Sequence, residues 1–126
     1  MKRFWFGITL LLVLLAGGIV SSICLDRLHT PIAHELSLAA EAALGEQWED
    51  AVRLAHQAKS QWQKQRHAVA AITSHSPMEQ IDSLFDELEI YQAAGEVLPF
   101  ASCCAALSAL IHAMAEAQTM NWWNLL

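Results

Sequence analysis

The stretch GEQWEDAVRLAHQAKSQWQK, Gly45–Lys64, carries two tryptophans, Trp48 and Trp62, fourteen residues apart among polar residues and alanines. Fourteen steps of about 100° return the second ring to within roughly 40° of the first, so both lie on one stripe of an α-helix. Val52, Ala55, Val69 and Ile72 fall on the same stripe. Large rings alternating with alanines are how the space between closely packed helices is filled. Trp48, Val52, Ala55, Trp62 and Val69 are therefore expected to be structural core, and not an exposed aromatic binding surface. Gly45 is placed to stop a preceding helix in the left-handed conformation. Glu46, Glu49 and Asp50 then suit the first turns of the next helix, where the macrodipole favours negative charge.

Working outward, the remaining punctuation is also helical. Thr30-Pro31 offers a capping hydroxyl before a proline at the first helical position, which starts a helix expected to run to about Leu44. The helix that follows Gly45 extends to about Thr73. Ser76-Pro77-Met78-Glu79 has the form of a capping box, with Ser76 as the cap and Glu79 reaching back to it. Behind it Met78, Ile81, Leu84, Phe85, Leu88 and Tyr91 recur in steps of three and four, with acids on the opposite face. Ile81, Leu84, Phe85 and Leu88 join the expected core. Gly95 ends that helix, and a fourth begins near Val97-Leu98-Pro99 and reaches about Gln118. No sustained alternation of period two and no Asn-Gly turn argues for a strand. The fold class is all-α: a small antiparallel bundle of about four helices, arranged as two αα-hairpins.

The N-terminal segment is of a different kind. Phe4–Leu25 is 22 residues without a charge, and about 20 apolar residues suffice to cross a bilayer as a helix. Lys2 and Arg3 immediately before it predict a cytoplasmic N-terminus, and Trp5 suits the membrane interface. The competing reading is a cleavable signal peptide, with a core from Ile8 to Ala16 and small residues at Val20 and Ser22 before a cut. The apolar run continues through Ile23 to Leu25, which favours a retained anchor. Ile23 stands before Cys24 where a lipidation motif needs a small residue. The organisation is thus an anchor or uncleaved signal over 1–25, a short linker over 26–30 and an extracytoplasmic bundle over 31–126.

Composition excludes several functions. Asp26 to Leu126 keeps five of the seven basic residues and all thirteen acids, a net charge of −8. Such a surface repels nucleic acid and anionic headgroups, so no nucleic-acid partner is expected. Cys24, Cys103 and Cys104 do not form a disulfide framework, and the adjacent pair reads as small buried hydrophobes. His29, His34, His56, His67, His75 and His112 contain no pair at the four-residue spacing that puts two ligands on one helix face. Neither a nucleophile elbow, a phosphate loop nor a dinucleotide fingerprint is present. No catalytic residue, metal site or cofactor is expected.

Gly45, the aromatic three residues on, and Ala51 and Ala55 make GEQWEDAVRLAHQA similar to one tetratricopeptide hairpin. No 34-residue repeat accompanies it, and a solenoid needs about three units. Over nearly the whole chain the order of features resembles domain-of-unknown-function family 4363. The residues that carry the likeness are the anchor Phe4–Leu25, EQWEDAVRLAHQAKSQWQKQRHAVAAITSH with Trp48, Ala51, Trp62 and His75, MEQIDSLFDELEIYQAAGE with Ile81-Asp82, Leu84 and Leu88, and Asn124-Leu125-Leu126. The resemblance implies a small bacterial protein, mostly of Gram-positive spore-formers, with one N-terminal transmembrane helix and an external helical domain. It implies no activity. The alanine- and cysteine-rich helix FASCCAALSALIHAMAEAQ departs from the family, whose members are more charged there.

These readings converge on a non-catalytic, single-pass membrane protein displaying an interaction or scaffold bundle outside the bacterial cell membrane. The expected partner is a protein or a second copy of the chain, met through Leu107, Ile111, Met114, Trp122 and Trp123 on the apolar fourth helix and tail. The second reading is an exported small-molecule or metal-binding sensory bundle, which requires His67, His75 or His112 to converge with acids in a polar pocket.

Overall fold

A computed structural model describes residues 1–70 and 75–124, apart from the side chains of residues 21–30, 69, 75, 118–119 and 121–124. The described residues form four helices, α1 (Lys2–Leu44), α2 (Trp48–Ala70), α3 (His75–Ala94) and α4 (Val97–Asn124). The chain is all-α, an N-terminal apolar helix continuing into a helical bundle. α1 and α2 form one hairpin and α3 and α4 the other. α1 and α4 make the most extensive helix pair, whereas α2 and α3 touch least.

α1 is continuous over 43 residues, with Pro31 inside it. The linker expected at 26–30 is therefore helical. Proline removes one backbone donor and crowds the carbonyl four residues back, which usually ends or kinks a helix. Here the helix arriving from the N-terminal side already occupies the preceding turns, so Pro31 loses a single hydrogen bond in place of starting a new helix.

The helix stops are of one kind, with one displacement from expectation. At the end of α3, Gly95 has φ 69°, its N–H donates to the Gln92 carbonyl, and the Glu96 N–H donates to the Tyr91 carbonyl. That is a Schellman motif with glycine at the left-handed position. At the end of α1 the Gln47 N–H donates to the Ala42 carbonyl in the same way. The left-handed residue there is Glu46, φ 63°, while Gly45 sits at φ −87°. The glycine thus falls one residue too early, and a side-chain-bearing residue takes the conformation that costs about 1–2 kcal/mol. Glu46→Gly should raise the unfolding free energy by about 0.5–1 kcal/mol after allowing for the extra freedom glycine has when unfolded. Gly95→Ala should lower it by about 1 kcal/mol. Urea midpoints of the detergent-solubilised chain check both signs.

The core takes one stripe from each helix: Ile32, Leu36, Ala39 and Ala43 from α1; Ala51, Ala55, Ala58 and Trp62 from α2; Met78, Ile81, Phe85 and Leu88 from α3; Phe100, Cys104, Leu107 and Ile111 from α4. Of the residues expected there, Ala55, Trp62, Ile81, Phe85 and Leu88 are buried, and Trp48 and Leu84 pack half-buried against the cluster. Val52 is only half-buried. The stripe of α2 is centred on Ala51, Ala55, Ala58 and Trp62, and Val52 lies about 90° round the helix from that centre. The side chain of Val69 is outside the described residues. α3 is helical from His75 onward, so Ser76, expected to cap it, lies within the helix, and both Ser76 and Glu79 are exposed. α4 runs on past 118 to Asn124.

Candidate functional site

Trp62 is the best-defined side chain of the α2–α3 seam. It is 1% exposed, and its Nε1–H donates to Asp82 Oδ1 at 2.9 Å. Asp82 Oδ2 pairs in turn with Arg66 Nη2 at 2.8 Å. One helical turn away, Lys59 lies between Asp86 and Glu89. Between these contacts α2 and α3 leave an open cleft of about 270 Å³ lined by Ala55, His56, Lys59, Phe85, Leu88 and Glu89. The Lys59–Glu89 ion pair bridges its walls. Trp48, at the other end of α2, stacks on Phe100 with ring centroids 4.8 Å apart and a tilt of 58°, a favourable offset geometry. Both tryptophans are packing residues.

Across the α1–α2 seam, Gln61 Nε2 donates to Glu35 Oε1 at 3.2 Å. Glu35 Oε2 and Gln65 Oε1 are shielded acceptors without a hydrogen-bond partner among the described residues.

The fourth helix differs from its sequence-based reading. Leu107 and Ile111 are fully buried and Met114 is nearly so. They face α1 and α3 and cannot serve as a partner surface. The side chains of Trp122 and Trp123 are outside the described residues. The exposed face of α4 consists of small residues, Ser102, Ala105, Ala106, Ala109 and Ala113 among them, together with His112. A helix this rich in alanine is apolar all round, so hydropathy alone does not reveal which face is covered. Ser108 marks the covered edge: its hydroxyl donates to the Ala33 carbonyl of α1 at 2.7 Å.

The two adjacent thiols are buried. Cys103 donates to the Leu84 carbonyl at 3.2 Å. Burial, with a lesser effect of the Glu87 carboxylate, pushes its thiol up to about 11. Burial, with a lesser effect of Cys103, pushes Cys104 up to about 12. A nucleophile or metal ligand must be a thiolate, and both groups are held as thiols near neutrality. In a Cys24→Ser chain at pH 7.5, alkylation of the folded protein should run on the order of 100-fold slower than after unfolding. Raised values in the folded state mean that the stability tied to the thiols is full below about pH 9 and is lost as pH climbs through about 11 to 12. Cys103→Ala/Cys104→Ala should flatten that alkaline loss, measured as unfolding free energy against pH.

His67 and His112 are both exposed, and the side chain of His75 is outside the described residues. His112 Nε2 lies 3.3 Å from Glu116 Oε1, one turn along the same helix. Among the described residues no three His, Cys, Asp or Glu side chains gather as a metal site.

Two of the most exposed apolar side chains of the bundle lie at one end. Leu44, at the end of α1, is 60% exposed, and Leu98, in the first turn of α4, is 72% exposed. The Trp48–Phe100 contact holds these two helix ends together. Both residues flank helix stops, where hydrophobic periodicity assigns no face. At the opposite extreme, Lys2–Val20 is long and apolar enough to cross a membrane, and none of it is buried. Val97–Ala117 is also long and apolar enough, but it supplies much of the core.

The family model described as Domain of unknown function (DUF4363) matches residues 19–125. The chain belongs to this family. The match covers the bundle and only the last two residues of the exposed apolar segment Lys2–Val20, so what the DUF4363 chain shares with its family is chiefly the packed helical unit. No curated protein and no solved structure matches it.

Proposed function

We propose that this DUF4363 protein is a single-pass membrane protein whose bundle stands outside the cytoplasmic membrane as a non-catalytic interaction or scaffold module of the bacterial envelope. The observation that carries the reading is the division of α1. Its N-terminal part, Lys2–Val20, is long and apolar enough to cross a membrane and has none of it buried, whereas from Ile32 the same helix supplies the bundle core. An apolar helix left bare by its own protein calls for lipid around it. Lys2 and Arg3 ahead of it favour a cytoplasmic N-terminus. Burial of both bundle thiols and the scatter of His67 and His112 support a role without catalysis or metal.

The favoured contact surface is the membrane-distal end with Leu44 and Leu98. The acidic bundle around it favours a partner with a basic rim. With a photo-crosslinking residue at Leu44 in native membranes, a discrete crosslinked product is expected, and Leu98→Asp should abolish it while leaving the urea midpoint unchanged. Recovery of the monomer alone would count against the interaction role. The metal-sensing alternative has no comparable observation in its favour.

A further inference from the structure

The seams of the bundle are not held alike. α1 and α4 pack extensively, whereas α2 and α3 touch least. The cleft between α2 and α3 continues into a second opening of about 200 Å³, with Lys59 and Phe85 in the walls of both. Together the two run along residues 55–66 of α2 and 82–93 of α3, about 16 Å on each helix. What crosses this gap is polar. Lys59 reaches Asp86 and Glu89, Arg66 reaches Asp82, and the Trp62 Nε1–H bonds to the same carboxylate. In each of these contacts the donor comes from α2 and the acceptor is a carboxylate of α3. The ion pairs stand in water on their acidic side, Asp86 being 77% and Glu89 58% exposed. Such pairs weaken as salt screens them, whereas interdigitated apolar side chains do not.

We infer that the α2–α3 seam is an ionic clasp, which parts as ionic strength rises while the α1–α4 pair stays packed. Parting uncovers an apolar floor of Ala55, Trp62, Phe85 and Leu88, all buried in the closed bundle. The two helices are free to separate because each has its own tether elsewhere. Gln61 Nε2 bonds α2 to Glu35 of α1, and Cys103 Sγ bonds α4 to the Leu84 carbonyl of α3. Separation of α2 from α3 breaks neither. Lys59 is the centre of the clasp: it lines both openings, so its withdrawal from Asp86 and Glu89 enlarges both at once. This is local opening of the kind that weakly packed elements undergo ahead of global unfolding. Salt acts on the remainder of the bundle with the opposite sign. Asp26 to Leu126 carries a net charge of −8, and screening relieves the repulsion among its excess acids. Salt therefore loosens this seam without favouring general unfolding.

The test uses the full detergent-solubilised chain with Cys24→Ser and Ala55→Cys, and follows alkylation of each thiol by neutral N-ethylmaleimide with mass spectrometry. Raising sodium chloride from about 0.05 M to about 0.5 M should speed modification of the Ala55→Cys thiol by about 3- to 10-fold and leave Cys104 unchanged. Lys59→Glu should give the same acceleration at low salt, and Lys59→Glu/Glu89→Lys should reverse most of it, because the exchange restores an opposite-charge pair. If the Ala55→Cys thiol and Cys104 accelerate together, the bundle opens as one unit and the clasp is overturned. If the Ala55→Cys thiol responds to neither salt nor charge reversal, apolar packing holds the seam, and the clasp is again overturned. A second measurement leaves the core untouched. Nitroxides on the exposed positions Gln57→Cys and Ile90→Cys should move apart with salt, and a separation that ignores salt would count against the clasp.

Discussion

Trp62→Ala should lower the unfolding free energy by about 3–5 kcal/mol, the usual cost of emptying a buried tryptophan site. Domains of this size hold only about 5–15 kcal/mol in total, so the variant should be substantially unfolded in mild urea. Two effects combine. The indole is 1% exposed, and its removal leaves a void in a seam where α2 and α3 have few other contacts. Asp82 also loses the Nε1–H donor at 2.9 Å and keeps Arg66 at 2.8 Å. Trp62→Phe separates the two: it keeps most of the apolar volume and should cost about 1–2 kcal/mol, mainly the lost hydrogen bond. Urea titrations of both variants check the ranking. Equal losses would mean that the hydrogen bond, and not the ring volume, holds the seam.

Leu107→Asp should cost more than about 4 kcal/mol and abolish folding, because it puts an unpaired carboxylate where there is neither water nor a counter-charge. Leu107 has no exposed surface and belongs to the hydrophobic core. Leu98→Asp, on the same helix and with the same change of chemistry, should stay within about 0.5 kcal/mol of the parent, since that side chain is 72% exposed. Far-ultraviolet circular dichroism against urea distinguishes them. A folded Leu107→Asp chain would return that face of α4 to the list of candidate surfaces.

How far each of these residues was legible depends on the contrast of the helix carrying it. α3 alternates acids with Ile81, Phe85 and Leu88, so its periodicity named its buried face correctly. In α2 the same reasoning found Trp62 and Ala55 but misplaced Val52, because two tryptophans fourteen residues apart define a stripe only to within tens of degrees. α4 offers almost no contrast, and there the expectation fails: its apolar pattern points Leu107, Ile111 and Met114 toward a partner, whereas they are buried in the core. Gly45 located a helix end to within a residue. Which residue would take the left-handed position was not readable, because the turn into α2 puts Glu46 there.

The sequence by itself determined the helical class, the division into an apolar N-terminal segment and an acidic bundle, the pairing into hairpins and the family. Each follows from local rules: hydrophobic period, helix stops, charge placement and the length of an uncharged run. Only the tertiary structure decided that α1 passes unbroken through Pro31 and that α4 turns its large side chains inward. Those are outcomes of packing between residues far apart in the chain, such as Ser108 against Ala33 and Phe100 against Trp48. An apolar helix carries no mark of which neighbour will cover it, so its orientation is fixed only when the neighbour is in place.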